Sequence, residues 1–250
     1  MRDVPQVRVL FLHGLESAPS AKVGKIPDLK ASFVDVCCPD LHTGRAQFNR
    51  KNSILRCLLR SAALRAAVAS SALSLLGALA GRLPLGLAAA GVLAPFAFVL
   101  ATYKTLLLPN AVEASVVASL AVARAALIAF KPDVVVGSSW GGALATLLVH
   151  EGAWTGPLAL LAPAGSRISL NMRPRSALGR TLQQPLPPQC RGIVVHGTKD
   201  TVVPLKDSRA LCAQSPKMVV RSVEDGHALA LALRGRALAR LVAEAAALHP

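Results

Sequence analysis

Acidic residues are missing from a long central stretch of this chain: no Asp or Glu occurs from Leu41 to Val112. The same stretch carries Arg45, Arg50, Lys51, Arg56, Arg60, Arg65, Arg82 and Lys104, within a formal net charge of +15. Aromatics are also few, at 6 Phe, 2 Trp and 1 Tyr, so a core has to be built from aliphatic side chains. That scarcity argues against a single-strand nucleic-acid binder, whose basic groove is interleaved with stacking aromatics, and no nucleic-acid partner is expected. Basic residues beside an apolar stretch suit an anionic membrane surface better. Cysteine is sparse too: Cys37, Cys38, Cys57, Cys190 and Cys212 are odd in number and form no C-x-x-C pair. Neither a zinc site nor a disulfide framework follows, and a reducing compartment such as the cytoplasm is the expectation. No apolar leader precedes the strand-like run that begins at Val7, so no secretory signal is expected.

At 250 residues the chain suffices for one large domain with a buried core. Short apolar runs predict strands at 7–12, 32–36, 133–136, 157–162, 192–195 and 217–222. Helical spacing runs from Ala111 to Phe130, closed by Lys131-Pro132, and further helices are expected at 142–150, 206–213 and 228–248. A short, Pro27-interrupted helix falls within a loop at 19–30. Strands alternating with helices are the pattern of a doubly wound, mostly parallel α/β sheet. Such sheets bind ligands at the carboxyl ends of their strands, which singles out His13-Gly14, Ser139-Trp140, His196-Gly197 with Asp200 beyond, and His227.

Residues 134–142 read VVVGSSWGG. Gly137-Ser138-Ser139-Trp140-Gly141 fits G-x-S-x-G, in which a serine sits on a sharp strand-to-helix turn. The plainer reading is a tight turn that contains serine by chance. Ser138 competes with Ser139 but lacks the flanking-glycine register of Gly137 and Gly141. A serine hydroxyl needs a base, and the base needs a carboxylate to fix its tautomer. Asp200 in IVVHGTKDTVVP and His227 in EDGHAL supply both types, in the order Ser…Asp…His of one known triad arrangement. Asp207 and Asp225 are alternative carboxylates; Asp207 falls in an expected helix and Asp225 lies only two residues before His227. An oxyanion also requires donors. The N–H of Trp140 opens the helix after the serine, and the N–H of Leu15 is the second candidate, with Gly14 letting that backbone approach. His13 reads as a structural hydrogen-bonding residue rather than a base.

FLHGLESAP, GSSWGGALA, LLAPA, IVVHGTKDTVVPLKDS and EDGHAL together resemble the α/β-hydrolase fold. They are most similar to small bacterial serine esterases of the YqiA type, with matches in 7–40 and 111–250. The resemblance implies Ser139 as nucleophile, Asp200 as acid and His227 as base, acting on an ester, with no metal or organic cofactor. It leaves the ester open, because this fold hosts many chemistries. A thioesterase or a lipid-acyl hydrolase at a membrane surface is an alternative, as is a non-catalytic membrane-associated protein that kept the fold. The substrate is accordingly a small-molecule or lipid-like ester.

The chain departs from that pattern at 41–110, an apolar and basic insertion within a single domain of 1–250. Arg82 is the only charge from Ala66 to Tyr103. Leu83–Tyr103 is long enough for a bilayer span and Ala66–Gly81 is somewhat short for one. The strands on either side of the insertion must join one sheet, so a single crossing is excluded. A membrane hairpin through 66–103, a soluble helical cap over the active site, and a poorly structured insertion all remain open.

Overall fold

The computed structural model describes residues 7–15, 17–19, 24–33, 35–43 and 58–248. Arg45, Arg50, Lys51, Arg56 and Cys57 lie outside the described residues. Among the described residues six strands form one parallel sheet: β1 (Arg8–Leu12), β2 (Asp35–Cys37), β3 (Val134–Ser138), β4 (Leu158–Leu161), β5 (Arg191–Gly197) and β6 (Lys217–Val223). Their spatial order is β2-β1-β3-β4-β5-β6, and every pairing is parallel.

The central strands β1, β3, β4 and β5 read as largely apolar runs because both faces are covered, and alternate residues divide between two cores. Leu10, Leu12, Val135, Leu158, Leu160 and Val194 face one core. Val9, Phe11, Val134, Val136, Ala159 and Ile193 face the other. Of the helices, α1 (Lys25–Lys30), α2 (Ala62–Leu79), α3 (Leu85–Thr102) and α4 (Leu108–Phe130) precede β3. After it come α5 (Trp140–His150), α6 (Gly165–Ser169), α7 (Ala177–Thr181), α8 (Leu205–Cys212) and α9 (Ala237–Ala246). Helix α4 lays Val112, Val116, Leu120, Ala123 and Leu127 on the first core, beside α5. Helix α9 covers the second with Leu238, Leu241, Val242 and Ala245.

Two expectations change. The terminal helix does not start at Ala228: turns occupy 227–236, and α9 begins only at Ala237. The Asp225 carboxylate accepts the N–H groups of Leu231 and Ala232, while Leu229 and Gly235 take positive φ, so the backbone there is committed to turns. The second strand is shorter than 32–36, because Ser32 closes α1 by donating its hydroxyl to the Asp28 carbonyl.

Helices α2 and α3 form an antiparallel hairpin, and a π-helical turn, Tyr103–Leu107, continues α3 directly into α4. The chain runs outward from β1 to β2 and then crosses back to β3 on the other side of β1. This reversal is the switch point at which open α/β sheets place their ligands, and Gly14 and Ser139 follow its two strands.

Candidate active site

Ser139 directly follows β3 with φ 52 and ψ −109, backbone angles that cost a non-glycine residue about 1–3 kcal/mol. The surrounding glycines explain how the turn closes. A Cβ on Gly141 would lie 1.9 Å from the Leu12 carbonyl oxygen, and one on Gly137 would lie 2.7 Å from the Gly141 oxygen. For Gly141 the obstacle is the backbone at the end of central strand β1, and for Gly137 it is the backbone of the first turn of α5, neither of which can move aside. Gly141→Ala is therefore expected to destabilise the fold by about 3 kcal/mol, at the upper end for overpacking. A urea midpoint unchanged from the parent would contradict that packing.

The elbow turns Ser139 toward two side chains from distant loops. Ser139 Oγ is 2.8 Å from His227 Nε2, and His227 Nδ1 is 2.7 Å from Asp200 Oδ2. Only an acceptor faces Nδ1, so the proton sits there and donates to the carboxylate, which leaves Nε2 to accept the serine proton. Asp200 is fully buried as a side chain, and His227 is partly open to solvent. The other carboxylate oxygen, Oδ1, accepts the Val202 and Val203 N–H groups, each at 2.8 Å. Burial alone would raise the Asp200 pKa. The Val203 N–H, the His227 hydrogen bond and the Val202 N–H outweigh it and hold the group below its ordinary value.

Sequence reasoning named His196 only by its place after a strand. It is fully buried behind Asp200, with Nε2 2.8 Å from the Val203 carbonyl and 3.3 Å from Asp200 Oδ2. Both neighbours are acceptors, so Nε2 carries hydrogen, and Nδ1 accepts from the Ser208 hydroxyl at 2.7 Å. His196 thus braces the loop that carries Asp200. The alternative carboxylates have other partners. Asp207 accepts from the Ser166 hydroxyl. Asp225 accepts the N–H groups of Gly226, Leu231 and Ala232, at 2.7, 2.8 and 2.9 Å, and so shapes the loop bearing His227. The Ala232 N–H above all, with Gly226, Leu231 and the charge of Lys25, lowers the Asp225 pKa against an opposing effect of burial.

Asp200 and Asp225 thus give acid sensitivity of the same sign. A carboxylate with its folded pKa below the unfolded value stabilises fully above that unfolded value, about 4, and loses this as pH falls through the folded one. The melting temperature is expected to hold from about pH 7 to 5 and to drop below about pH 4. Asp225→Asn should start lower at neutral pH and decline less steeply. An identical pH profile for parent and variant would remove Asp225 from the account.

The loop after β1 approaches from the other side. A Cβ built on Gly14 would lie 3.5 Å from Ser139 Cβ. Buried His13 accepts the Leu41 N–H at Nε2 (3.1 Å), so its proton is on Nδ1 and donates to the Gly14 carbonyl at 2.9 Å. The Thr43 hydroxyl and the Ser17 N–H donate to the same oxygen. In a trans peptide the N–H of Leu15 points opposite to that thrice-held carbonyl. Trp140, first residue of α5, has an N–H with no intrahelical acceptor. Leu15, Ser139 and Trp140 line one cleft of about 510 Å³, whose other walls include Tyr103, Leu108 and Ile168. Among the described residues no cluster of His, Cys, Asp and Glu is arranged to hold a metal ion.

The sheet order, the elbow and the loops beyond β5 and β6 define the α/β-hydrolase fold, and solved structures share it. A Xanthomonas campestris pv. campestris protein named after the alpha/beta hydrolase superfamily is 21% identical. That match covers 95% of this chain and 99% of the other, with a TM-score of 0.50. A Thermus thermophilus protein matches at 15% identity over 99% of this chain and 92% of its own, with a TM-score of 0.55. One of two metagenome-derived lipolytic enzymes matches at 13% identity over 98% and 94%, also at 0.55. No protein-family model and no curated protein matches the sequence.

Proposed function

We propose that this protein is a serine hydrolase that cleaves carboxylic esters through an acyl-enzyme. The observation that supports it is the continuous hydrogen-bonded chain from Ser139 through His227 to buried Asp200, on a strained elbow. In this reading Ser139 Oγ attacks the ester carbonyl while His227 Nε2 takes its proton. The carbonyl oxygen gains negative charge and is held by the N–H groups of Leu15 and Trp140, each such donor being worth about 3–4 kcal/mol of barrier. The tetrahedral intermediate collapses as His227 protonates the leaving alcohol. Water, deprotonated by the same nitrogen, then attacks the acyl-serine and releases the carboxylic acid. Asp200 stays ionised, orients the imidazole and offsets its charge.

The test is covalent labelling of the folded protein by a fluorophosphonate, with hydrolysis of p-nitrophenyl esters and the matching thioesters in parallel. Stoichiometric labelling with ester turnover supports the reading. Labelling with turnover of thioesters alone would replace the ester by a thioester. No labelling of folded protein would end it and leave the non-catalytic alternative.

A further inference from the structure

The hairpin of α2 and α3 is built unlike the rest of the molecule. Each leg is 18 residues, which at 1.5 Å per residue is about 27 Å, close to the hydrocarbon thickness of a bilayer. Both legs pass as candidate membrane spans by length and composition. Leucines that a soluble protein would bury are open to solvent along both, as with Leu73 at 69% and Leu93 at 67%. The apolar surface runs around each helix instead of forming a stripe, the character of a helix surrounded by apolar matter on all sides.

What is covered is the seam between the legs, and it is made of small residues. Ala67, Ser71 and Ala88 are the buried positions of the two helices. A Cβ on Gly91 would lie 2.3 Å from Ser74 Oγ, and the Ser71 hydroxyl donates across the seam to the Val92 carbonyl. Close backbone approach through small residues, with hydroxyls satisfied on backbone oxygens, is how helices pair within lipid. Ser74 and Thr102 likewise donate to carbonyls one turn back, Ser70 and Phe98.

Charge is distributed to match a bilayer with anionic headgroups. Arg60 and Arg65 stand where α2 leaves the domain and Lys104 where α3 returns, with Arg82 alone at the tip and no acid among them. Both legs start from one domain, so two crossings return the chain to the same side. The cleft containing Ser139 lies at the foot of this hairpin. Leu58, just before α2, and Tyr103, just after α3, belong to its wall, and among the described residues Arg167 is the cation of its lining. Since α3 runs through the π-turn into α4, the hairpin is held by a core helix rather than by a loose linker.

We propose that α2 and α3 insert into an anionic bilayer as a helical hairpin, and that the cleft at their foot takes the acyl chain of an ester lipid from that bilayer. The substrate half rests on the hydrolase reading above; the anchor does not.

The full chain is mixed with vesicles of phosphatidylglycerol and phosphatidylethanolamine, floated on a gradient and washed with alkaline carbonate. Hydrolysis is followed on soluble p-nitrophenyl butyrate and on a fluorogenic phospholipid within the vesicles. The wild type should float, resist carbonate and cleave both substrates. The double variant Leu73→Arg/Leu93→Arg, charged at mid-depth, should be released by carbonate and keep butyrate turnover within twofold per labelled site. It should lose at least tenfold on the vesicle lipid, and Leu73→Ile/Leu93→Ile should behave as wild type. Wild-type protein that stays in solution, or a soluble dimer by light scattering with its hairpins paired, overturns the anchor. Floating protein that cleaves butyrate but no vesicle lipid overturns the substrate half. Floating protein that cleaves neither overturns the hydrolase reading while supporting the anchor.

Discussion

Ser139→Ala is expected to lower kcat on p-nitrophenyl butyrate by about a millionfold and to abolish fluorophosphonate labelling. The substitution removes one oxygen that is 2.8 Å from His227 Nε2 and adds nothing. Alanine inherits the same positive φ, so stability should change little. Ser138 is the necessary control. It is the last residue of β3, buried and registered against Leu161 of β4. Ser138→Ala should keep both labelling and turnover. His227→Ala should approach the loss seen for Ser139→Ala, and the double variant should be no worse than either, because the residues act as one unit. Labelling that persists in Ser139→Ala would assign the nucleophile elsewhere.

Asp200→Asn should cost about ten-thousandfold in kcat with KM little changed. Asparagine fills the same space, and its carbonyl oxygen can keep the bonds from Val202 and Val203 that Oδ1 accepts now. Its NH2 group then faces His227 Nδ1. A donor at that place drives the imidazole to carry its proton on Nε2, where it can no longer accept from Ser139. Folding should survive while the base is disabled. A variant that melts like the parent yet retains a tenth of its kcat would show that Asp200 does not set the tautomer.

The parts of the site that were readable in the sequence are those in which one residue's chemistry is confined to a few neighbours. Ser139 is marked by glycines that local backbone contact requires, and the loops with Asp200 and His227 follow apolar runs that end abruptly. The central strands β1, β3, β4 and β5 were readable for the same reason, since burial on both faces leaves long aliphatic runs. Other features depend on residues far apart in the chain. Nothing near Asp225 announces that its carboxylate will gather the N–H groups of Leu231 and Ala232 and so delay α9 to Ala237. The brace from His196 to Asp200 and the clamp of His13, Thr43 and Ser17 on the Gly14 carbonyl likewise join loops that meet only after folding. The short helices α6 and α7 are one turn and a half each, too brief for any periodicity to declare them.

The sheet order sets a timetable for biosynthesis. Strand β1 finds its central partner in β3, with Val9 beside Val134, and everything in α1 to α4 is translated between them. At ordinary elongation rates the wait is on the order of ten seconds. During it β1 has only short β2 to pair with, while α2 and α3 have already left the ribosome with their leucines uncovered. Those two helices are therefore open to a receiver on the nascent chain before the sheet that carries Ser139 exists, and they stay open to one afterwards, because folding leaves Leu73 and Leu93 exposed.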